Sequence, residues 1–222
     1  MINEHIKINE SYFAIPLELI KRMQSQSLFQ KEKLVIGICG ESGSGKSVTA
    51  ICLQMELEKQ NKSSVILHLD NYFKLPPKDN HNKRKRDLSW VGTKEVCMDL
   101  LQSHIQQFLL NKEKVVAPSV DYKKNEFSEC ELLFKDIPIL IVEGVYTLLL
   151  KDLDFKVFME RTFIETKEKR KERNREVYDP FVEQVLQIEH NLIKPLAKKA
   201  DVFVTKDYSV RSRRNDDLND KP

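Results

Sequence analysis

The sequence predicts a three-layer α/β fold, with helices on a mainly parallel five-stranded sheet and a small β-hairpin excursion. Three observations carry that prediction. Continuous runs of apolar, often β-branched residues recur along the 222-residue chain, as strands buried on both faces require. Segments with helical apolar spacing separate these runs, which is the alternation of a parallel sheet. Four of the six glycines fall between positions 37 and 45, where the first apolar run meets the first long helical period. The chain therefore reserves unusual backbone freedom for one junction.

The elements follow in order. Residues 16–30 carry Leu17, Ile20, Leu28 and Phe29 and predict a short leading helix. KLVIGIC (33–39) is the first buried strand, and 47–60 is a helix with Val48, Ile51, Cys52, Met55 and Leu57 on its apolar side. SSVILHLD (63–70) is the second strand. Residues 71–92, rich in Pro, Asn, Lys and Arg, show no period and predict a long loop. A helix over 93–110 uses Val96, Leu100, Leu101, Ile105, Phe108 and Leu109. VVAPSVDY and ELLFKD flank a polar turn as the hairpin of 113–136. IPILIVEG (137–144) and DFKVFME (154–160) are further strands, and a charged helix spans 160–176. A longer amphipathic helix covers 179–196, ADVFVT (200–205) is the last strand, and 207–222 forms a polar, disordered tail. The chain thus divides into an extension over 1–32, a single domain over 33–206 and the tail.

Composition narrows the function classes. Apolar residues at 41% and charged residues at 32% describe a soluble globular chain. No run approaches the ~18 apolar residues of a membrane span, and the N-terminus lacks an export signal. Cys39, Cys52, Cys97 and Cys130 are widely spaced and read as reduced thiols of a cytoplasmic protein. A net charge of +3 from 37 basic and 34 acidic residues argues against nucleic acid as partner. Lys83–Arg86 and the six basic residues within 167–175 read first as solvated surface. A homo-oligomer is left open.

The glycine cluster spells Gly40-Glu41-Ser42-Gly43-Ser44-Gly45-Lys46-Ser47, the G-x-x-x-x-G-K-[ST] pattern between a strand and a helix. Glycines let consecutive backbone N–H groups face one phosphate, and the helix N-terminus adds positive potential. Residues 40–47, with Val48 in the first helical turn, are therefore the nucleotide-binding candidates. Lys46 would bridge terminal phosphates, and the Ser47 hydroxyl would ligate Mg²⁺. The DxxG and NKxD motifs of GTPases and the LSGGQ of ABC ATPases are absent from the sequence. ATP with Mg²⁺ is the expected cofactor pair.

Chemistry beyond nucleotide binding depends on the other strand ends. Asp70 closes the second strand and could accept a hydroxyl proton, with turn-capping as the competing role. Glu143 ends the third strand, where a buried carboxylate calls for a metal or a lysine. Arg170 and Arg173, three residues apart in the charged segment, suit the equatorial oxygens of a transferring phosphoryl group. Tyr72, Phe73, Trp90, Tyr122 and Phe127 cluster near loops and could stack on a nucleobase or cap the core edge.

As an ordered set, these motifs resemble the uridine kinase / phosphoribulokinase family over about residues 33–205. GESGSGKS looks like its P-loop, and Asp70 of LDNYF is similar to its catalytic base. Pro118-Ser-Val-Asp121-Tyr122 resembles its hairpin motif, IVEGVYTL its acidic strand, and Lys194-Pro195 with Ala200-Asp201-Val202 its closing helix and strand. The resemblance implies a small-molecule substrate, ATP-dependent transfer to a hydroxyl and an acceptor site around Asp70, Tyr72, Phe73, Trp90, Asp121 and Tyr122. Uridine or cytidine is the acceptor it implies first. The departures concern recognition of that acceptor. Val120 replaces the hairpin tyrosine, Asn125 an expected histidine, and Ser89-Trp90-Val91-Gly92-Thr93 a stretch that usually carries aspartate and histidine. The Arg-Gly-Arg usual in the lid is also missing. A same-fold kinase for pantothenate, glycerate or a sugar phosphate, and a non-catalytic ATP-binding regulator, are the competing readings.

Overall fold

The computed structural model describes residues 11–167 and 180–213. Helix α1 (Ser11–Ser25) leads into β1 (Leu34–Gly40). Then follow α2 (Lys46–Lys59), β2 (Ser64–His68), α3 (Pro77–Arg86), α4 (Met98–Leu109), β3 (Lys114–Asp121) and β4 (Glu126–Leu133). The remainder is β5 (Ile139–Gly144), β6 (Phe155–Met159), α5 (Pro180–Ile193), β7 (Val202–Val204) and β8 (Val210–Ser212). Among the described residues the main sheet has the order β2-β5-β1-β6-β7-β8, and β3–β4 form a separate antiparallel pair. Five strands run parallel, as expected. The sixth, β8, pairs antiparallel with β7.

Alternation along the strands explains the layers. Leu34, Ile36 and Ile38 of β1 face the same way as Ile139 and Ile141 of β5, and together they pack under α1 and α2. Val35 and Cys39 point oppositely, with Leu140 and Val142, into a second core with α4, the base of the hairpin and the end of α5. Each fully buried Leu or Ile contributes about 1.5–3 kcal/mol. Helix α1 is part of the first core, where Ile15, Leu19, Ile20 and Met23 are all buried.

The structure corrects several expectations. Residues 71–92 are not a plain loop, because 77–86 form α3, with Pro77 in its first turn and four basic residues in its last. Those charges complement the C-terminal end of the helix dipole. The polar tail begins later than expected, since Val210–Ser212 add a strand to the sheet edge. Arg22 of α1 donates to the Val210 carbonyl at 3.0 Å and so fastens that edge. The charged helix does not begin at 160: residues 160–166 are extended and turn, held where the Glu165 carboxylate accepts the Thr162 N–H at 2.7 Å. The leading helix lies at 11–25 rather than 16–30, with a 3₁₀ turn over 28–30. The four cysteines are free thiols. Among the described residues no helix is long and apolar enough to cross a membrane.

Candidate active site

Parallel strands bring their carboxyl ends to one edge, and β1, β2 and β5 deliver the candidate residues there. Gly45 stands at the start of α2 with φ of 102°, a conformation that side chains resist. It turns the chain so that Lys46 and Ser47 begin the helix. Lys46 is buried, and its ammonium donates to the Glu41 carbonyl at 2.9 Å, across its own loop. The buried Ser44 hydroxyl has no hydrogen-bond partner among the described residues. A buried hydroxyl without a partner costs stability that an anionic ligand would restore, so the loop fits a phosphate group. Val48 lies with its side chain in the core beneath α2, leaving only its backbone for the loop.

Strand register sets the next cluster. His68 of β2 and Ile38 of β1 both stand opposite Glu143 of β5. The Glu143 carboxylate is 3% exposed. It accepts hydrogen bonds from Ser47 Oγ at 3.0 Å and from His68 Nδ1 at 2.7 Å. Burial raises the carboxyl pKa, but the His68 hydrogen bond and charge, the Lys46 charge and the Ser47 hydroxyl outweigh it and hold it below 4.5. Burial pulls His68 the other way, and its bond to Glu143 and the charges of Glu143 and Asp70 raise it above 6.5. Ser47 and Glu143 offer adjacent hard oxygens, the kind Mg²⁺ takes in small number beside phosphate and water, so the pair fits that cation. Among the described residues no group of three or more His, Cys, Asp or Glu side chains forms a self-sufficient metal cage.

Asp70 sits on a 3₁₀ turn, Leu69–Tyr72, that follows β2 directly. The turn fits because Gly144 has no side chain: a Cβ there would lie 2.2 Å from Leu69 Cβ. Tyr122 Oη donates to Asp70 Oδ2 at 3.4 Å, and Asn71 Oδ1 accepts the Val120 N–H at 3.2 Å, so the hairpin leans over this strand end. Beside it opens a cleft of about 370 Å³ whose lining includes Asn71, Phe73, Lys74, Leu100, Pro118 and Phe127.

The acceptor candidates separate on inspection. Asp70 and Tyr122 come together through their hydrogen bond, and Phe73 lines the neighbouring cleft. Tyr72 borders the same cleft, but it is 2% exposed and its hydroxyl is turned to the core, 2.8 Å from His104 Nδ1. Asp121 caps the hairpin turn by accepting the Lys123 and Lys124 N–H groups at 2.9 and 3.0 Å. Those backbone bonds lower its pKa below 3.8. Trp90 is half-buried, donates from Nε1 to Asn80 Oδ1 at 2.9 Å, and has the ammonium groups of Lys74 and Lys83 at 5.8 and 5.7 Å from its ring. Arg170 and Arg173 lie outside the described residues.

The contacts of three groups escaped the sequence reading. His68 was visible only through its place two residues before Asp70 and its register with Glu143. Glu41 serves the loop's surroundings as well as the loop: its buried carboxylate accepts the Phe163 N–H at 2.6 Å and the His190 Nδ1–H at 2.7 Å. Arg84, from the supposed surface run, is largely buried. It meets both oxygens of fully buried Glu95 at 2.6 and 2.8 Å, and Glu189 of α5 at 2.9 Å.

Comparison with known proteins agrees with this fold. The model of the Phosphoribulokinase / Uridine kinase family matches residues 35–208. A bifunctional alpha-galactosidase/sucrose kinase of Mediterraneibacter gnavus is 29% identical over 194 residues, covering 81% of this chain but 21% of that protein. The chain thus spans about a fifth of that relative. The uridine kinase of Macrococcus caseolyticus is 26% identical over 185 residues, 77% of this chain and 86% of that one. In fold, a possible uridine kinase from Bacillus stearothermophilus superposes with a TM-score of 0.60 at 20% identity, over 84% of this chain and 97% of that one. The chain belongs to the Phosphoribulokinase / Uridine kinase family and is a kinase that transfers phosphate to an alcohol.

Proposed function

We propose that this kinase uses ATP with Mg²⁺ and phosphorylates a primary hydroxyl of a nucleoside, uridine or cytidine first among them. The observation that carries the reading is Asp70: a carboxylate held at the end of β2, two residues past the His68 that bonds Glu143, and itself bonded by Tyr122. Uridine kinases that match most of this chain support the nucleoside class. Val120, where the resemblance expects a tyrosine, favours a second reading in which the acceptor is a sugar-like alcohol. The sucrose kinase relative is consistent with that alternative.

The chain's own groups divide the work. Backbone N–H groups of residues 43–47 and the start of α2 hold the phosphates. Lys46 would turn from the Glu41 carbonyl to the terminal phosphates, and Ser47 and Glu143 would hold the cation. When bound, Mg²⁺ would supply positive charge that neutralises the phosphates. Asp70 orients the acceptor hydroxyl and takes its proton on a carboxylate oxygen, while Tyr122 fixes that carboxylate. Arg170 and Arg173 are proposed to meet the transferring group. Replacing Asp70 by Asn removes the base and retains its shape. Turnover should fall by about 10²–10⁴-fold, with nucleotide affinity measured by calorimetry unchanged. Turnover within a few-fold of wild type would remove Asp70 from this role.

A further inference from the structure

We infer that α5 is a strut coupling the phosphate loop to the acceptor side, through two consecutive positioning residues, Glu189 and His190. The inference rests on the kinase reading above. Its basis is a continuous chain of polar contacts. At one end, Lys46 Nζ bonds the Glu41 carbonyl at 2.9 Å, and the Glu41 carboxylate takes His190 Nδ1–H at 2.7 Å and the Phe163 N–H at 2.6 Å. Thr166 Oγ1 adds a bond to the Ser42 carbonyl at 3.0 Å. One residue earlier on α5, Glu189 Oε1 meets Arg84 Nη2 at 2.9 Å. Arg84 grips Glu95, and Glu95 also accepts Asn80 Nδ2 and the Gly92 N–H, both at 2.8 Å. Asn80 in turn accepts Trp90 Nε1–H at 2.9 Å.

Each link is short, and its middle members are buried: Glu41, Glu95, Asn80 and Glu189 are all less than a tenth exposed. Polar contacts in such surroundings are stiff, because a broken one leaves a group that water cannot satisfy. Lys46 is the member that must change partner when a terminal phosphate arrives, and its release frees the Glu41 peptide. The carboxylate of the same residue carries that change to His190, and the helix carries it one residue to Glu189 and so to Arg84, whose guanidinium lies 5.9 Å from the ring of Phe73, an acceptor candidate. Nucleotide binding thereby sets the acceptor side before any acceptor is present.

Trp90, the chain's single tryptophan, makes the far end observable. The probe is ADP with Mg²⁺, titrated without acceptor, while Trp90 emission and calorimetric heat are followed on the same full-length protein. The expected result is a saturable change in Trp90 emission with the calorimetric midpoint. Glu189→Gln should cut its amplitude at least twofold while calorimetric affinity stays within about threefold. In that variant Arg84 keeps both bonds to Glu95, so its guanidinium stays paired. His190→Ala should do the same, and His190→Gln, which keeps an N–H donor toward Glu41, should restore part of the amplitude. Binding without any Trp90 response overturns the inference alone, as does a response of full amplitude in Glu189→Gln and His190→Ala. Absence of calorimetric binding overturns the kinase reading itself.

Discussion

Leu69 and Gly144 approach so closely that a single methyl group decides where Asp70 sits. A Cβ on residue 144 would stand 2.2 Å from Leu69 Cβ, and the next residue is the candidate base. Gly144→Ala should therefore cost about 1–3 kcal/mol by overpacking, read from denaturant midpoints, and lower turnover as well. His104 gives a second residue-scale prediction. Burial keeps its imidazole neutral beside Tyr72 and pulls its pKa below 6.5. The unfolded chain then takes a proton that the native state refuses, so this contribution is complete above 6.5 and is lost as pH falls through the lower native value. Denaturant midpoints should drop more for wild type than for His104→Gln between about pH 7.5 and about pH 5.5. Equal drops would contradict it. At this scale the phosphate loop was legible because its glycines and Lys46 are fixed by local geometry. His68, Tyr72 and His190 were not, since strand register or tertiary contact alone decides what they touch.

Helix α3 shows why an element can hide from periodicity. It carries no apolar stripe, and its inward residues are Asn80 and Arg84, which bind the buried Glu95 rather than a greasy surface. A reading based on apolar spacing sees only Pro, Asn, Lys and Arg there. The helix is held by an ion cluster, and that makes it vulnerable in a specific way. Arg84→Ala would leave the carboxylate of Glu95, which is fully buried, without its cation. Such a break costs about 3–5 kcal/mol. The loss should be visible in urea midpoints, together with faster amide exchange across 77–86. A loss below about 1 kcal/mol would show that α3 is held by something else. The parallel strands of the main sheet, in contrast, were legible to within about two residues, because burial on both faces demands continuous apolar runs. Strands β4 and β8 were the exceptions: β4 runs over Glu126–Leu133 rather than 131–136 because it is largely exposed, and β8 is short, polar at its end and paired on one side.

At the scale of the whole molecule, sheet order turns separate motifs into one site. Strand β1 lies between β5 and β6, and β2 lies outside β5, so the phosphate loop, Glu143 and Asp70 share one edge although they are spread from residue 40 to residue 143. The alternation of strands and helices pointed to that convergence. The acceptor was less legible, since cleft shape depends on how the hairpin leans over β2, and no local pattern encodes that angle. The central claim is that this arrangement performs acceptor-dependent phosphoryl transfer. The direct measurement is an acceptor screen with ATP and Mg²⁺ across nucleosides, sugars and small alcohols, scoring ADP release and phosphorylated product. The account predicts ADP release that depends on one acceptor class, nucleosides first, and that collapses in Asp70→Asn. ATP binding with no acceptor-dependent ADP release across the screen would contradict it.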